Sequence, residues 1–198
     1  MNKKILSCNH IFIFINVVLF FATDLLGIFW EFPWLETCGL CWVDVFQKKE
    51  IYRLITSMFF HADLDHIFNN MLVLLMIGDY IEQQTGTLRY IILYFSAGII
   101  AGFTSMVYNM FQNTYSISIG ASGAIFGLMG ALLMTVIFQK GRRQEFNLRQ
   151  MLFMVFFSLY GGFTSQGVDN AAHIGGFLGG MLLTAILCLK ERRDTDIC

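Results

Sequence analysis

The chain has 198 residues, 56% of them hydrophobic and 14% charged, with a net charge of -1 and a mean hydropathy of +0.62. That length suits one domain, yet a soluble domain of this size cannot hide so much apolar surface. The near-neutral charge and the lack of a basic stripe argue against nucleic-acid partners, which leaves an all-α polytopic membrane protein as the expectation.

A membrane helix needs about 20 largely apolar residues. The first such run covers about 10–29, after Met1, Asn2, Lys3 and Lys4. It is too long for a signal h-region and no small-residue cleavage site follows it, so it is read as retained. A long first loop follows, about 30–63. Its first part is polar and aromatic (Trp30, Pro33, Trp34, Trp42, Asp44, Lys48, Lys49, Glu50) and suits the membrane interface, where Trp prefers to sit. Five further helices are expected, over about 64–82, 88–109, 119–138, 149–164 and 169–189. No internal repeat or second domain stands out, so residues 1–198 are read as one membrane domain of six transmembrane helices.

Lysine and arginine placement sets the expected orientation. With six spans both termini share a side. That side collects Lys3, Lys4, Arg89, Lys140, Arg142, Arg143, Arg149, Lys190, Arg192 and Arg193. The other has only Lys48, Lys49 and Arg53. Cytoplasmic termini follow, and the composition fits a small bacterial plasma-membrane protein.

On this topology helices two, four and six all start from the outer side. His61, His66, Asn69 and Asn70 then lie near the start of helix two, Ser122 at the start of helix four, and His173 at the start of helix six. The unusual polar residues of three helices share one depth. Ionisable groups inside a membrane are costly and point to function. His10 is the exception, at the cytoplasmic end of helix one.

Ser122 sits in Ser118-Ile119-Gly120-Ala121-Ser122-Gly123. A serine in a membrane helix ordinarily packs or bonds the carbonyl one turn back. Here Gly120 and Gly123 clear bulk from beside the hydroxyl, so a substrate backbone can approach. The first helical turn also leaves N–H groups and a positive dipole end free for an oxyanion. Ser122 would thus supply a nucleophile and one stabilising N–H.

A serine nucleophile needs a base, and His173 is the candidate. Gly123, Gly127 and Ala131 on helix four, with Gly175/Gly179 and Gly176/Gly180 on helix six, allow the two helices to pack closely. Asp169 precedes His173 by four residues, but Asp169 or Asn170 is read as the cap of helix six. A two-residue Ser122–His173 dyad is expected. His66 and Asn70, four apart, share one face of helix two and can donate hydrogen bonds to the oxyanion. Asn69 ranks second for that role. A metal site from His61, Asp63, Asp65, His66 and His173 is a weaker reading, because no HExxH arrangement is present. Cys38-Gly-Leu-Cys41 is a lone CxxC, read as a local disulfide or two free thiols rather than a zinc site.

With these residues in view, the chain resembles the rhomboid family of intramembrane serine proteases from about Glu50 to about Gly180. Gly120-Ala121-Ser122-Gly123 is similar to the family's GxSG motif, and Ala172-His173 followed by glycines to its last-helix AH motif. His61, His66 and Asn70 fit its second-helix pattern. The resemblance implies a six-helix rhomboid-like bundle with a water-accessible cavity, a Ser122–His173 dyad, and oxyanion donors from His66, Asn70 and the Ser122 N–H. Gly120, Gly123, Phe126 and His61 would support the site. It implies a lateral gate formed by the fifth helix and the adjoining loop, and no cofactor; no metal is expected. Two departures stand out. Ile51-Tyr52-Arg53 replaces a Trp-Arg pair, so only Arg53 carries over. Phe126 stands where some members have a Tyr against the catalytic histidine.

The reading is an intramembrane serine endopeptidase that cleaves transmembrane or membrane-anchored proteins within or near the bilayer. Its partners would be those substrates and the lipid. One alternative is a non-catalytic rhomboid-like scaffold or chaperone that binds transmembrane helices; a transporter using the buried histidines as a relay is another.

Overall fold

The computed structural model describes residues 7–30, 33–138, 148–164 and 167–195. Lys3, Lys4, Lys140, Arg142 and Arg143, on which the charge-based orientation partly rests, lie outside the described residues.

Among the described residues the elements are helical. Helix α1 spans Cys8–Trp30. Three short helices follow, α2 (Trp34–Cys38), α3 (Trp42–Phe46) and α4 (Arg53–Thr56), then a 3-10 turn at Ser57–Phe59. Next come α5 (Leu64–Val73), a π-helical stretch (Leu74–Gly78) and α6 (Asp79–Thr85), which form one run. Helix α7 is Thr87–Phe111, α8 Ser122–Phe138, α9 Leu148–Thr164 and α10 Asn170–Thr195. Two helices are long and apolar enough to cross a membrane, Thr87–Phe111 and, within α10, Asn170–Cys188; Cys8–Thr23 and Ser122–Phe138 are apolar but shorter.

The first loop is more ordered than the sequence suggests, and Arg53 is the reason. Its guanidinium is buried, donates to the Gly39 carbonyl at 2.7 Å and to Glu50 at 2.6 Å, and lies 3.9 Å from Asp44. A rigid fork of donors can serve several acceptors at once, so distant turns close around one side chain. Lys48 adds a 2.8 Å pair to Asp44, and that hydrogen bond raises its pKa. Cys38 and Cys41 are free thiols, and burial pushes the Cys38 thiol up.

Helices α7, α8 and α10 make the centre of the bundle. Here α8 and α10 approach backbone to backbone. A Cβ at Gly176 would run into the Gly123 carbonyl, and one at Gly180 into the Gly127 carbonyl. Only hydrogen at those positions permits the approach. Leu74, Ile77, Leu93, Tyr94, Leu128 and Leu132 fill the surrounding core. Outward, large apolar side chains are exposed on every long helix, among them Phe14, Phe68, Phe103, Phe153 and Leu182. So much exposed hydrocarbon suits a lipid environment rather than water.

At the start of α1, Glu82 accepts from the N–H groups of Cys8 (3.0 Å) and Asn9 (2.9 Å). These are first-turn donors that the helix itself leaves unpaired. Asn9 in turn donates to the Leu74 carbonyl at 3.1 Å, within the π stretch, and Gly78 leaves room for its side chain. The irregular turn therefore has a partner for its backbone.

Candidate active site

Three helix beginnings converge. Asp63 caps α5: its backbone is extended, and its carboxylate accepts the His66 N–H at 2.8 Å. That cap fixes where α5 starts, and so which face carries His66 and Asn70. Asn70 is buried, whereas Asn69 is exposed. Spacing alone cannot separate these two asparagines; the direction of the helix face can.

The segment before α8 is pinned at three points. Ser118 pairs with Leu40 in an isolated antiparallel bridge, with both N–H···O bonds at 2.9 Å. Gly120 N–H donates to the Ser57 carbonyl at 2.8 Å, and Ala121 N–H approaches His61 Nε2 at 3.4 Å. Gly120 has φ +113°, a conformation that side chains disfavour. A Cβ there would sit 2.5 Å from His66 Nε2 and 3.5 Å from Asn70 Nδ2. Two side-chain nitrogens thus face the turn that leads into Ser122. Asn70 Nδ2 is buried without a hydrogen-bond partner among the described residues.

Ser122 opens α8, and its Oγ lies 2.9 Å from His173 Nε2 on the first turn of α10. The residues are 51 apart in sequence. Phe126, one turn after Ser122, stacks on the His173 ring at 4.1 Å between centroids and 18° between planes. His173 is buried, and its Nδ1 has no hydrogen-bond partner among the described residues. His61 is buried and packs edge-on against His66 at 5.0 Å. A cavity of about 40 Å3 lies beside the serine, bounded by Ser57, Met58, Ser118, Ser122, Gly123 and Asp169. Hydrogen-bonding groups and that volume suffice for a water.

Asp169 does cap α10, accepting the Ala172 N–H at 2.9 Å. Its other oxygen accepts from Ser118 Oγ at 2.5 Å and from Ser105 Oγ on α7. Ser105 and Ser118 are not visible as site residues in the sequence. The only trace is a spacing: Ser118 precedes Ser122 by the same four residues as Asp169 precedes His173. His10 is remote, beside Ser7 and Asp79 at the far end of α1. Among the described residues no group of His, Cys, Asp and Glu is arranged to hold a metal ion.

A close Ser–His pair at two helix starts, flanked by inward-facing His and Asn, is the arrangement to compare with known proteins. The Rhomboid domain model matches residues 48–190.

The chain belongs to the rhomboid family.

The match takes in His61, His66, Asn70, Ser122, Asp169 and His173. The rhomboid family is one of integral membrane proteins. Similar curated proteins include RHOMBOID-like protein 7 of Arabidopsis thaliana, 34% identical over 82% of this chain and 51% of the relative. Rhomboid protease GluP of Bacillus subtilis strain 168 is 29% identical over 92% of this chain and 35% of the relative. Inactive RHOMBOID-like protein 8 of Arabidopsis thaliana is 35% identical over 78% of this chain and 43% of the relative. The chain therefore spans between about a third and a half of the length of these rhomboid relatives. Names of both active and inactive members occur among them.

Proposed function

We propose that this rhomboid is an intramembrane serine endopeptidase with Ser122 as nucleophile and His173 as base. The carrying observation is the 2.9 Å contact between Ser122 Oγ and His173 Nε2. In this reading Nε2 is unprotonated at rest and Nδ1 carries the ring proton. Ser122 Oγ attacks the scissile carbonyl carbon as its proton passes to Nε2. The carbonyl oxygen becomes an oxyanion and accepts from the Ser122 N–H, Asn70 Nδ2 and His66 Nε2. Such donors act most strongly where charge develops away from water. Collapse breaks the C–N bond, and the proton on Nε2 goes to the departing amine. The resulting ester is attacked by a water that gives its proton to Nε2. The tetrahedral adduct then expels Ser122 Oγ, which takes that proton back, and the acid product leaves.

The fold we infer around this site is a single domain of six membrane spans with both termini cytoplasmic and the dyad in the outer leaflet. Substrates would be transmembrane or membrane-anchored proteins entering from the lipid. A helix that unwinds easily, as one holding Gly or Pro does, would be preferred, because Ser122 needs an extended backbone. No residue role in this mechanism calls for a cofactor or a metal.

The test is labelling by a fluorophosphonate probe of the wild type, Ser122→Ala and His173→Ala, each purified in detergent. Labelling of the wild type alone supports the dyad; an unlabelled wild type, or an equally labelled Ser122→Ala, overturns it. A scaffold that binds transmembrane helices is the second reading, favoured by the similarity to a relative named inactive. Such a protein would keep its function as Ser122→Ala.

A further inference from the structure

Among the described residues, no acidic third member meets His173 Nδ1. What, then, holds the imidazole in register with the serine? Stacking by Phe126 fixes the tilt of the ring, but flat apolar contact tolerates sliding. The glycine contacts between α8 and α10 set how closely the helices approach, and they too lack direction along the axis. A directional bond is needed.

Such a bond lies four residues before each member of the dyad. Ser122 meets His173 at 2.9 Å, and Ser118, four residues earlier, donates to Asp169, four residues earlier on the other segment, at 2.5 Å. The two contacts form successive rungs between the same pair of chain segments. Asp169 Oδ2 also accepts from Ser105 Oγ of α7, which in turn receives Asn109 Nδ2 at 3.3 Å. Asp169 Oδ1 holds the first turn of α10 through Ala172 N–H. Ser118 is itself fixed to Leu40 through its backbone. One carboxylate thus joins α7, the strand-like lead-in to Ser122, and the start of α10. Charge-assisted bonds of this kind are among the strongest available.

We propose that Asp169 is a positioning residue for the dyad, acting through Ser118 to set the register of His173 against Ser122. The inference rests on the protease reading. It differs from a role as helix cap alone, which needs only Oδ1. A serine at position 169 would cap as well as aspartate does, yet it is too short to hold both hydroxyl partners.

The test follows fluorophosphonate inactivation, separating the maximal rate kinact from the binding constant KI, in wild type, Ser118→Ala, Ser118→Thr, Asp169→Ser and the Ser118→Ala/Asp169→Ser double variant. Ser118→Ala leaves the cap and the Ser105 bond intact. It is expected to lower kinact about tenfold with KI unchanged. Asp169→Ser should do the same, and the double variant should lose no more than the larger single loss, as for two partners in one contact. Ser118→Thr, which keeps the hydroxyl, should restore the rate. Wild-type rates in Ser118→Ala, losses that multiply in the double variant, or no rescue by threonine would overturn the proposal. If Asp169→Ser does not fold, the Ser118 pair decides alone. A wild type that does not react at all instead sinks the protease reading, so the two failures are distinct.

Discussion

The ring of Phe126 stacks on that of His173, with centroids 4.1 Å apart and planes inclined by 18°. Position 126 thus replaces, by contact area alone, part of what a hydrogen bond to the ring would do. Stacked aromatic pairs contribute about 0.5–1.5 kcal/mol beyond their burial. Phe126→Ala is therefore expected to slow fluorophosphonate labelling by roughly three- to tenfold. Phe126→Tyr, which keeps the stack, should stay within about twofold of wild type on the same energy scale. Equal rates for Phe126→Ala and wild type would show that the ring needs no such support.

Asn70 carries a buried amide nitrogen with no hydrogen-bond partner among the described residues. An unpaired buried donor costs stability, on the order of 1–3 kcal/mol. Removing it should relieve that cost while depriving the transition state of a donor. Asn70→Ala is expected to lower kcat by about 10²–10³ with KM little changed. Its thermal unfolding midpoint in detergent should equal or exceed that of wild type. A variant that loses activity and stability together would mean that Asn70 holds the fold rather than the oxyanion.

Gly176 faces the Gly123 carbonyl so closely that any Cβ must push the helices apart. Gly176→Ala is expected to destabilise by about 1–3 kcal/mol, in the range of overpacked cores, and to reduce labelling because α8 and α10 carry the two halves of the dyad. Gly161→Ala is the control: a Cβ there meets nothing within 4 Å. It should leave both measurements unchanged. Thermal unfolding in detergent reads the difference.

Arg53 closes the first loop by serving the Gly39 carbonyl and Glu50 together. Arg53→Ala leaves those acceptors and the buried Asp44 without it. A loss of about 1–3 kcal/mol is expected. Lysine should recover less than half of that, because one ammonium cannot span the same acceptors. Proteolytic nicking within 33–59 should rise in parallel. Full rescue by Arg53→Lys would show that charge alone matters.

Some of this site could be read without coordinates. Gly120, Ser122 and Gly123 stand out because the glycines clear space beside a hydroxyl at a helix start, and His173 because membrane segments rarely carry an ionisable group. The spacing of His66 and Asn70 follows from helical periodicity. Other parts had no local signature. Arg53 was visible as the one residue carried over from a Trp-Arg pair, but its acceptors at Gly39 and Glu50 belong to turns that only the folded loop brings near. Ser105 and Ser118 look like any serine near a helix end until Asp169 is seen between them.

The amino-acid order alone determined the family, the all-helical class and which residues are chemically out of place in an apolar chain, since these depend on composition, periodicity and short motifs. Only the tertiary structure decided that Ser122 Oγ and His173 Nε2 stand 2.9 Å apart, that Asn70 rather than Asn69 turns inward, and that Asp169 binds two serines and not the imidazole. Those outcomes depend on the register and rotation of helices far apart in the chain, and a hydrogen bond tolerates only about half an ångström of slack in its donor–acceptor distance.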